Sequence, residues 1–444
     1  MHIIINRLRD IKDPRSKKAV KNVVASFGLK GVSMIMSLVL VPLTLSYLTQ
    51  YEYGVWLTLT SILVWLDFFD IGLTNGLRNK LAESIAKEDW DRGRAYVSTT
   101  FFILSLIGFL IIIFFSLISF YIDWDTVLNT KENPIPQLSE IVFIVFVLCI
   151  INFVMKTIGT IFSANQEPMM SNLFSCIGQA FSVIIIYILT QVTDGNLMYV
   201  AIAFSISPIL VYVISYPYAF YVRFPKLSPS YKYVKLKLAR DIVGIGVQFF
   251  LIQVVCLILY QSSNIIIAQL FNPIEVTPYN IGYRYMNVIV MLFMIVITPL
   301  WTAITDAFTK KDYIWIQKSI SVMMRIWLLF VALVVLFFVF STFAIELWVG
   351  KSVHVPEIVI IALGIFVILD MWNRIFASFA NGITHLKIQL FTAIAEGVLF
   401  IPLAVLFSQF MGVSGVAWAL TAVSIIPAIA LYIDYKRTIN YLIG

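Results

Sequence analysis

Charged and amide side chains lie inside long apolar stretches of this chain, and these residues have the strongest chemical potential in the sequence. A charge in hydrocarbon is costly, so it usually pairs, lines a watery cavity or takes part in transport. Guanidinium, ammonium and amide groups donate hydrogen bonds to anions and to hydroxyl-rich ligands. The side chains that we expect to line such a cavity are Lys30, Gln253, Gln261, Asn264, Asn280, Arg284 and Asn287.

Lys30 belongs to a polar stripe in the first apolar stretch. At 100° per residue the stripe lies within about 60° of helix surface, and its members are Ser26, Lys30, Ser33, Ser37 and Thr44. Lys30 lies ~12 Å in from the cytoplasmic end of the helix at 1.5 Å per residue. Snorkelling to the interface is one interpretation, and a water-filled cavity beside the whole stripe is the other, which we favour.

Two later stretches carry further polar stripes. One face of the earlier stretch carries Gln253, Tyr260, Gln261 and Asn264. One face of the later stretch carries Asn280, Arg284 and Asn287, with Tyr283 beside them. Hydrogen bonding between helices is the alternative explanation of the amides. Arginine binds phosphate oxygens with a fork geometry that lysine lacks. Arg284, ~10 Å in from the outer end of its helix, is therefore the best predicted anion ligand.

The remaining deep charges suggest ion coupling or gating, and they are Asp67, Asp70, Arg78, Asp370, Arg374 and Glu396. Asp370 and Arg374 are spaced i,i+4, which favours a structural ion pair within one helix. Glu396 has no basic neighbour one turn away, so protonation, pairing across helices and cation binding all stay open. A gate of ion pairs would explain Asp67, Asp70 and Arg78, and helix capping with interfacial solvation explains them equally well.

The elements that position these side chains are membrane-spanning helices. The chain is 60% hydrophobic and 12% charged, with a mean hydropathy of +0.93. No soluble domain buries that much apolar surface. About twelve stretches are long enough to cross ~30 Å of hydrocarbon, which predicts an all-α integral membrane protein with two pseudo-symmetric six-helix bundles. The expected spans are 22–48, 53–76, 97–121, 139–163, 169–191, 198–222, 241–270, 277–305, 319–346, 357–381, 386–410 and 412–435.

The second half of the chain repeats the first. Shifted by 223 positions, Lys87 meets Lys310 and Asp89 meets Asp312. Repeats of this kind in a membrane protein are typical of transporters with two bundles around a central path. We expect a basic cytoplasmic segment at 1–21, bundles at 22–222 and 241–444, and a basic cytoplasmic linker at 223–240.

Lysine and arginine concentrate in alternate loops, so both termini are expected in the cytoplasm. This rule explains the net charge of +7 without nucleic acid, and the linker 223–240 is expected to contact anionic lipid.

The first apolar run, at residues 3–5, is too short for a cleaved signal. The three cysteines and three histidines are scattered, so we expect no metal site and no cofactor. Loops are short and no phosphate-binding glycine-rich loop is present, so the chain is not expected to be an enzyme.

The motifs YGVWLTLTSI, FFDIGLTNGLRNKLAE and TPYNIGYRYMN resemble those of polysaccharide-biosynthesis flippases, the O-antigen (Wzx-type) exporters. That family belongs to the multidrug/oligosaccharidyl-lipid/polysaccharide (MOP) exporter superfamily. The resemblance implies a MATE-like V of two bundles, with a cavity lined largely by spans 1, 2, 7 and 8. It also implies alternating access and flipping of an undecaprenyl-diphosphate-linked oligosaccharide across a bacterial inner membrane, with contacts to polysaccharide polymerase or ligase machinery. The coupling ion, Na⁺ or H⁺, is left open.

Three alternatives are weaker. A MATE-like, cation-coupled drug antiporter of the same superfamily would favour an acidic cavity, whereas Lys30 and Arg284 are cationic. An unrelated 6+6 facilitator would carry an Asp-Arg pair and trailing arginines after its second span, which GLTNGLRNKLAE lacks. An enzyme acting on lipid-linked sugars would need longer external loops than this chain has.

Overall fold

The computed structural model describes residues 14–70, 72–165, 167–243, 247–383, 385 and 387–443, and these residues form helices, turns and loops without a β-strand. The α-helices are α1 Pro14–Leu45, α2 Gln50–Leu63, α3 Leu73–Ala86, α4 Trp90–Ser119, α5 Trp124–Val127, α6 Leu138–Met155, α7 Thr157–Ala164, α8 Pro168–Val192, α9 Leu197–Pro217, α10 Lys237–Val243, α11 Val247–Leu270, α12 Pro273–Thr309, α13 Tyr313–Val339, α14 Ser341–Val349, α15 Glu357–Gly382, α16 Lys387–Met411 and α17 Ser414–Ile443. The all-α membrane fold predicted from the sequence is confirmed.

Ten helical stretches of the described chain are long and apolar enough to cross a membrane. They correspond to ten of the twelve expected spans, and the chain is a multi-pass membrane protein. The seventh expected span coincides with α11, a helix of 24 residues that is longer than the roughly 20 residues a crossing needs.

The second expected span, 53–76, differs from the prediction because it is not one helix. The 14-residue helix α2 passes into a 3₁₀ segment at Val64–Asp70, and α3 starts after Gly72, whose φ is 76°. This left-handed conformation suits glycine, and Gly72 is the N-cap of α3. An apolar run interrupted by Asp67 and Asp70 does not distinguish α from 3₁₀ geometry, so the break could not be predicted from the sequence.

The described chain divides into two compact units. The first comprises Met1–Thr49, Trp65–Asp125 and Pro134–Phe250, and the second comprises Gln50–Val64, Thr126–Asn133 and Leu251–Gly444. The second unit thus includes α2 and the short stretch Thr126–Asn133 from the first half of the sequence. The bundle boundaries 22–222 and 241–444 remain predictions.

The sequence repeat has a structural counterpart in one turn of each unit. Glu88 and Lys311, which are 223 positions apart, both adopt positive φ, at 58° and 59°. The next residue is an aspartate in both cases, and each caps the following helix: Asp89 accepts from the Arg92 amide and Asp312 from the Trp315 amide. A left-handed residue that closes one helix, followed by an aspartate N-cap, lets two helices meet within a few residues.

The basic linker packs on the first unit. Leu227 is fully buried in a cluster that includes Leu81 and Phe220. The amides of Ser230 and Lys235 donate to Ser98 and Thr99 of α4 at 3.0 and 2.9 Å. The expected contact of this linker with anionic lipid is a prediction that these contacts do not test, but they fix the backbone that carries the basic side chains.

Candidate functional site

A cavity of about 330 Å³ lies within the second unit. Its lining comes from α2, the 3₁₀ segment that follows it, α11, α12 and α17. It comprises Leu57, Thr60, Ser61, Val64, Gln261, Ser263, Asn264, Tyr279, Asn280, Tyr283, Arg284 and Leu420. Among these lining residues Arg284 is the one charged side chain, and the others supply amides, hydroxyls and apolar walls. The cavity volume lies at the lower end of the range typical of small-molecule sites.

The turn between α11 and α12 places two amides face to face. Asn272 caps α12 by accepting from the Ile274 amide at 3.0 Å, and Pro273 begins the helix, where its missing N–H costs no hydrogen bond. Asn264 and Asn280 lie eight residues before and after this turn. The same distance along two neighbouring helices brings their side chains together, and Asn280 Nδ2 donates to Asn264 Oδ1 at 2.8 Å.

These amides form the middle of a hydrogen-bond chain that ends on the arginine. Arg284 Nε donates to Asn280 Oδ1 at 3.2 Å, as the i,i+4 spacing on α12 allows. On the other side Asn264 Nδ2 donates to Ser61 Oγ of α2 at 2.8 Å. Within the described part of the chain these contacts leave both Nη groups of Arg284 without a protein partner, so their four N–H donors remain for a ligand.

Helix α2 closes one side of the cavity because it packs tightly against the start of α12. Thr277 Oγ1 donates to the Gln50 carbonyl at 2.7 Å. Gly54 lies so close to Pro273 that a Cβ atom at position 54 would be 1.8 Å from the Pro273 carbonyl oxygen. Only glycine permits this approach, and it brings Ser61 within reach of α11.

The structure brings together four of the seven residues predicted to line a cavity, namely Gln261, Asn264, Asn280 and Arg284. Asn287 follows Arg284 on α12 but is half-buried outside the lining. The side chain of Gln253 lies outside the described residues. Lys30 is exposed on α1 in the first unit and does not line this cavity.

Three of the predicted coupling residues lie on α15 and α16. Arg374 Nε donates to Asp370 Oδ2 at 2.7 Å, and the two side chains are 34% and 14% exposed. Arg374 also reaches Met294 Sδ of α12 at 3.5 Å. Glu396 is half-buried on α16 and lies within electrostatic range of Asp370. The predicted ion pair of Asp370 and Arg374 within one helix is thus present. The role of Glu396 stays a prediction.

The other three predicted gating residues lie around the start of α3. Asp70 accepts from both the amide and the hydroxyl of Thr74, at 3.0 and 2.5 Å, and so satisfies one free amide in the first turn of α3, whose N-cap residue is Gly72. Arg78 is exposed on α3. The side chain of Asp67 lies outside the described residues. Both the gating and the capping interpretation of these residues stay predictions.

Sequence reasoning missed the contribution of α2, above all Ser61. Ser61 is 2% exposed, and a small hydroxyl residue in an apolar helix usually bonds to its own backbone. Its hydroxyl does donate to the Leu57 carbonyl at 2.8 Å, but its oxygen also accepts from Asn264. The available signal was the polar triplet of Thr58, Thr60 and Ser61 on one short segment.

The cavity can bind a ligand that is polar and anionic. One guanidinium offers charged donors, and the neighbouring amides and hydroxyls offer uncharged donors and acceptors. The described residues contain no group of three or more histidine, cysteine or acidic side chains placed to hold a metal ion.

Comparison with known proteins identifies the family. Residues 19–305 match the family model described as polysaccharide biosynthesis protein. A protein of Salmonella typhimurium (strain LT2) named "Putative O-antigen transporter" is 21% identical over 435 residues, covering 95% of this chain and 94% of the relative. A Yersinia pseudotuberculosis protein named "Putative O-antigen export protein" is also 21% identical, with 82% of this chain and 83% of the relative covered.

Solved structures show the same fold. A multidrug resistance MATE family transporter of the MOP superfamily, in its inward-facing conformation, has a TM-score of 0.78 at 14% identity, covering 96% of this chain and 98% of that chain. The outward-facing conformation of a transporter described in the same words has a TM-score of 0.63, with 96% of each chain covered. The fold is therefore MATE-like, and the chain belongs to the polysaccharide biosynthesis protein family.

Proposed function

We propose that this protein flips an undecaprenyl-diphosphate-linked oligosaccharide, an O-antigen or other surface polysaccharide repeat unit, across the bacterial inner membrane by alternating access. The observation that carries the proposal is the family match over residues 19–305, joined to a cavity whose one charged lining residue is Arg284. The MATE-like fold supports a transporter and not an enzyme. Both termini are proposed to be cytoplasmic.

The charge of the cavity supports an anionic ligand. Arg284 is half-buried in a cavity lining without an acidic residue, so an anion such as phosphate or an acidic sugar would supply the missing counter-charge. The amides of Gln261, Asn264 and Asn280 match the hydroxyl groups of sugars by the same donor and acceptor logic. Lys30, exposed in the first unit, is proposed as a second cation for the diphosphate.

The alternative function is a cation-coupled drug antiporter, which the MATE neighbours make reasonable on fold alone. A cavity for a cationic drug needs a carboxylate, and its twelve lining residues include none. Coupling to Na⁺ or H⁺ through Glu396 would apply to either function. Contacts with polymerase or ligase machinery belong to the flippase proposal, and so do membrane lipids as the surrounding partner.

The test is flipping of a defined fluorescent lipid-diphosphate-oligosaccharide in proteoliposomes, with and without Na⁺ and H⁺ gradients. We expect Arg284→Ala to reduce flipping about ten- to a hundredfold, because a charge-assisted hydrogen bond contributes roughly 1.5–3 kcal/mol. Arg284→Lys should restore only part of the activity, since the fork geometry is lost. The matched control is Arg325→Ala, which removes an exposed arginine of α13 outside the cavity.

Two results would contradict the proposal. Wild-type flipping by Arg284→Ala and by Lys30→Ala, singly and combined, would exclude a cationic binding site. Transport of a cationic dye against a Na⁺ or H⁺ gradient, without flipping of the lipid-linked sugar, would establish the antiporter instead.

A further inference from the structure

The hydrogen-bond chain that ends on Arg284 has a fixed direction. An arginine side chain can only donate, so the Asn280 atom that faces Arg284 must be the amide oxygen. The Asn280 nitrogen then faces Asn264 and requires an oxygen there, which turns the Asn264 nitrogen toward Ser61. The Ser61 hydrogen is committed to the Leu57 carbonyl. The two ends of the hydrogen-bond chain, Arg284 and Ser61, therefore fix the orientation of both asparagine amides.

We propose that Ser61 is a positioning residue for Arg284, and that it sets the affinity of the cavity for an anion through Asn264 and Asn280. The inference rests on the proposed function, because it assumes that Arg284 binds the anionic part of the substrate. Ser61 does not contact the ligand in this scheme. Ser61 accepts from Asn264 and fixes that amide, and Asn264 accepts from Asn280 and fixes the second amide. Asn280 then accepts from Nε of Arg284, so that both Nη groups stay available.

Because Asn264 and Ser61 are buried, the hydrogen-bond chain is sensitive to the loss of the Ser61 oxygen. Asn264 and Ser61 are 6% and 2% exposed, so water does not readily replace the Ser61 oxygen if it is removed. A buried amide donor without a partner is unfavourable. The Asn264 amide would then rotate toward another acceptor, and Asn280 would lose the partner that defines its own orientation. The guanidinium would keep its charge but lose the fixed geometry on which bidentate binding depends.

The position of Ser61 gives the inference a consequence for the transport cycle. Ser61 lies on α2, two residues before this helix ends and the 3₁₀ segment at Val64–Asp70 begins. The other members lie on α11 and α12. A movement that withdraws α2 from α11 breaks the Asn264–Ser61 bond, which is the bond that joins α2 to the rest of the hydrogen-bond chain. The anion site would thus weaken when α2 leaves, which couples ligand release to helix movement.

Thr58 provides a matched control for Ser61. It lies three residues earlier on α2, is also buried and does not line the cavity. The Thr58 hydroxyl donates to the Gly54 carbonyl of its own helix at 2.9 Å, and among the described residues it has no bond to α11 or α12. Ser61→Ala and Thr58→Val therefore remove one hydroxyl each from one helix, and only the first breaks the hydrogen-bond chain to Arg284.

The experiment measures binding of inorganic pyrophosphate to the full chain in nanodiscs by titration calorimetry, together with the thermal unfolding temperature. We expect Ser61→Ala to weaken binding about three- to tenfold, the equivalent of one neutral hydrogen bond, and Asn280→Ala to do the same or more. Thr58→Val should bind like the wild type. In the Arg284→Gln background, Ser61→Ala should cause no further loss, because a positioning residue acts only through the group that it positions.

The outcomes separate this inference from the proposed function. Equal weakening by Ser61→Ala and Thr58→Val, or a further loss on top of Arg284→Gln, would show a merely structural role and overturn the inference. A wild type that flips lipid-linked oligosaccharide in proteoliposomes but does not bind pyrophosphate would overturn the inference and leave the function standing. Failure of Arg284→Gln to weaken pyrophosphate binding would remove the anion site itself.

Discussion

Gly54 offers a sharp test of how α2 is held, because the space beside it is smaller than one methyl group. A Cβ atom there would lie 1.8 Å from the Pro273 carbonyl oxygen and 2.7 Å from its carbon. Real Cβ contacts essentially never fall below 3.0 Å, so Gly54→Ala must move the two helices apart by about 1.2 Å. The obstacle is backbone at the start of α12, which does not adjust as a side-chain tip would.

We expect Gly54→Ala to lower the free energy of unfolding by about 1–3 kcal/mol or more through overpacking. The gain of about 1 kcal/mol from the better helix propensity of alanine offsets part of this loss. The same displacement, if directed along the Asn264–Ser61 bond, would stretch it from 2.8 Å past the hydrogen-bonding range. Pyrophosphate binding should therefore fall as it does for Ser61→Ala.

The matched control is Gly364→Ala on α15. A Cβ atom there would lie 3.4 Å from Val334 Cγ1 and 3.8 Å from Met286 Cε, which is ordinary contact distance. This variant should unfold at the wild-type temperature or above it, since it gains helix propensity without a clash. Thermal unfolding in nanodiscs gives the comparison. Equal unfolding temperatures for the two variants would refute the close approach of α2 and α12.

Three further predictions concern coupling, local electrostatics and topology. Glu396→Gln should abolish the acceleration of flipping by a Na⁺ or H⁺ gradient and leave gradient-free flipping intact; a gradient response like that of the wild type would exclude a coupling role. Hydrogen bonding by Lys87, and next by Lys80, lowers the pKa of Glu83 to about 2. The stabilising interaction is therefore present above the ordinary pKa of 4.5 and is lost as the pH falls toward 2. Carboxyl NMR of Glu83 should show this pKa, and Lys87→Gln should raise it toward 4.5. A reporter fused after Tyr231 should signal cytoplasm and one after Glu132 the outside, and a cytoplasmic signal at the latter would reject the topology.

Long apolar runs and i,i+4 spacing made much of the fold predictable. Asn280 and Arg284 fall on one face of α12 by periodicity alone, and they do interact. The repeat was visible too, and its aspartate caps at 89 and 312 recur in the structure. These features depend on local sequence, which a single chain records directly.

Other features depend on contacts between distant segments and were not predictable. Ser61 and Asn264 are 203 residues apart, and no local pattern pairs a serine with an asparagine at that separation. The break after α2 depends on the 3₁₀ geometry at Val64–Asp70, which apolar composition does not indicate. Lys30 illustrates the limit of a polar stripe. The stripe predicts a solvent-accessible helix face, but it does not predict that Lys30 lies outside the cavity that contains Arg284.

The membership of α2 in the second unit has a consequence for biosynthesis. With 14 residues, α2 is shorter than the ~20 residues that cross a bilayer, and its packing partner α12 begins at Pro273, roughly two hundred codons later. At about 5–20 residues per second the ribosome needs about 10–40 s to synthesise that partner. During this interval the nascent α2 must remain at the translocon or beside lipid without its native neighbour. Packing of α2 is therefore completed only after the start of α12 has been translated, and a chain stopped near Phe250 would lack the surface that holds α2.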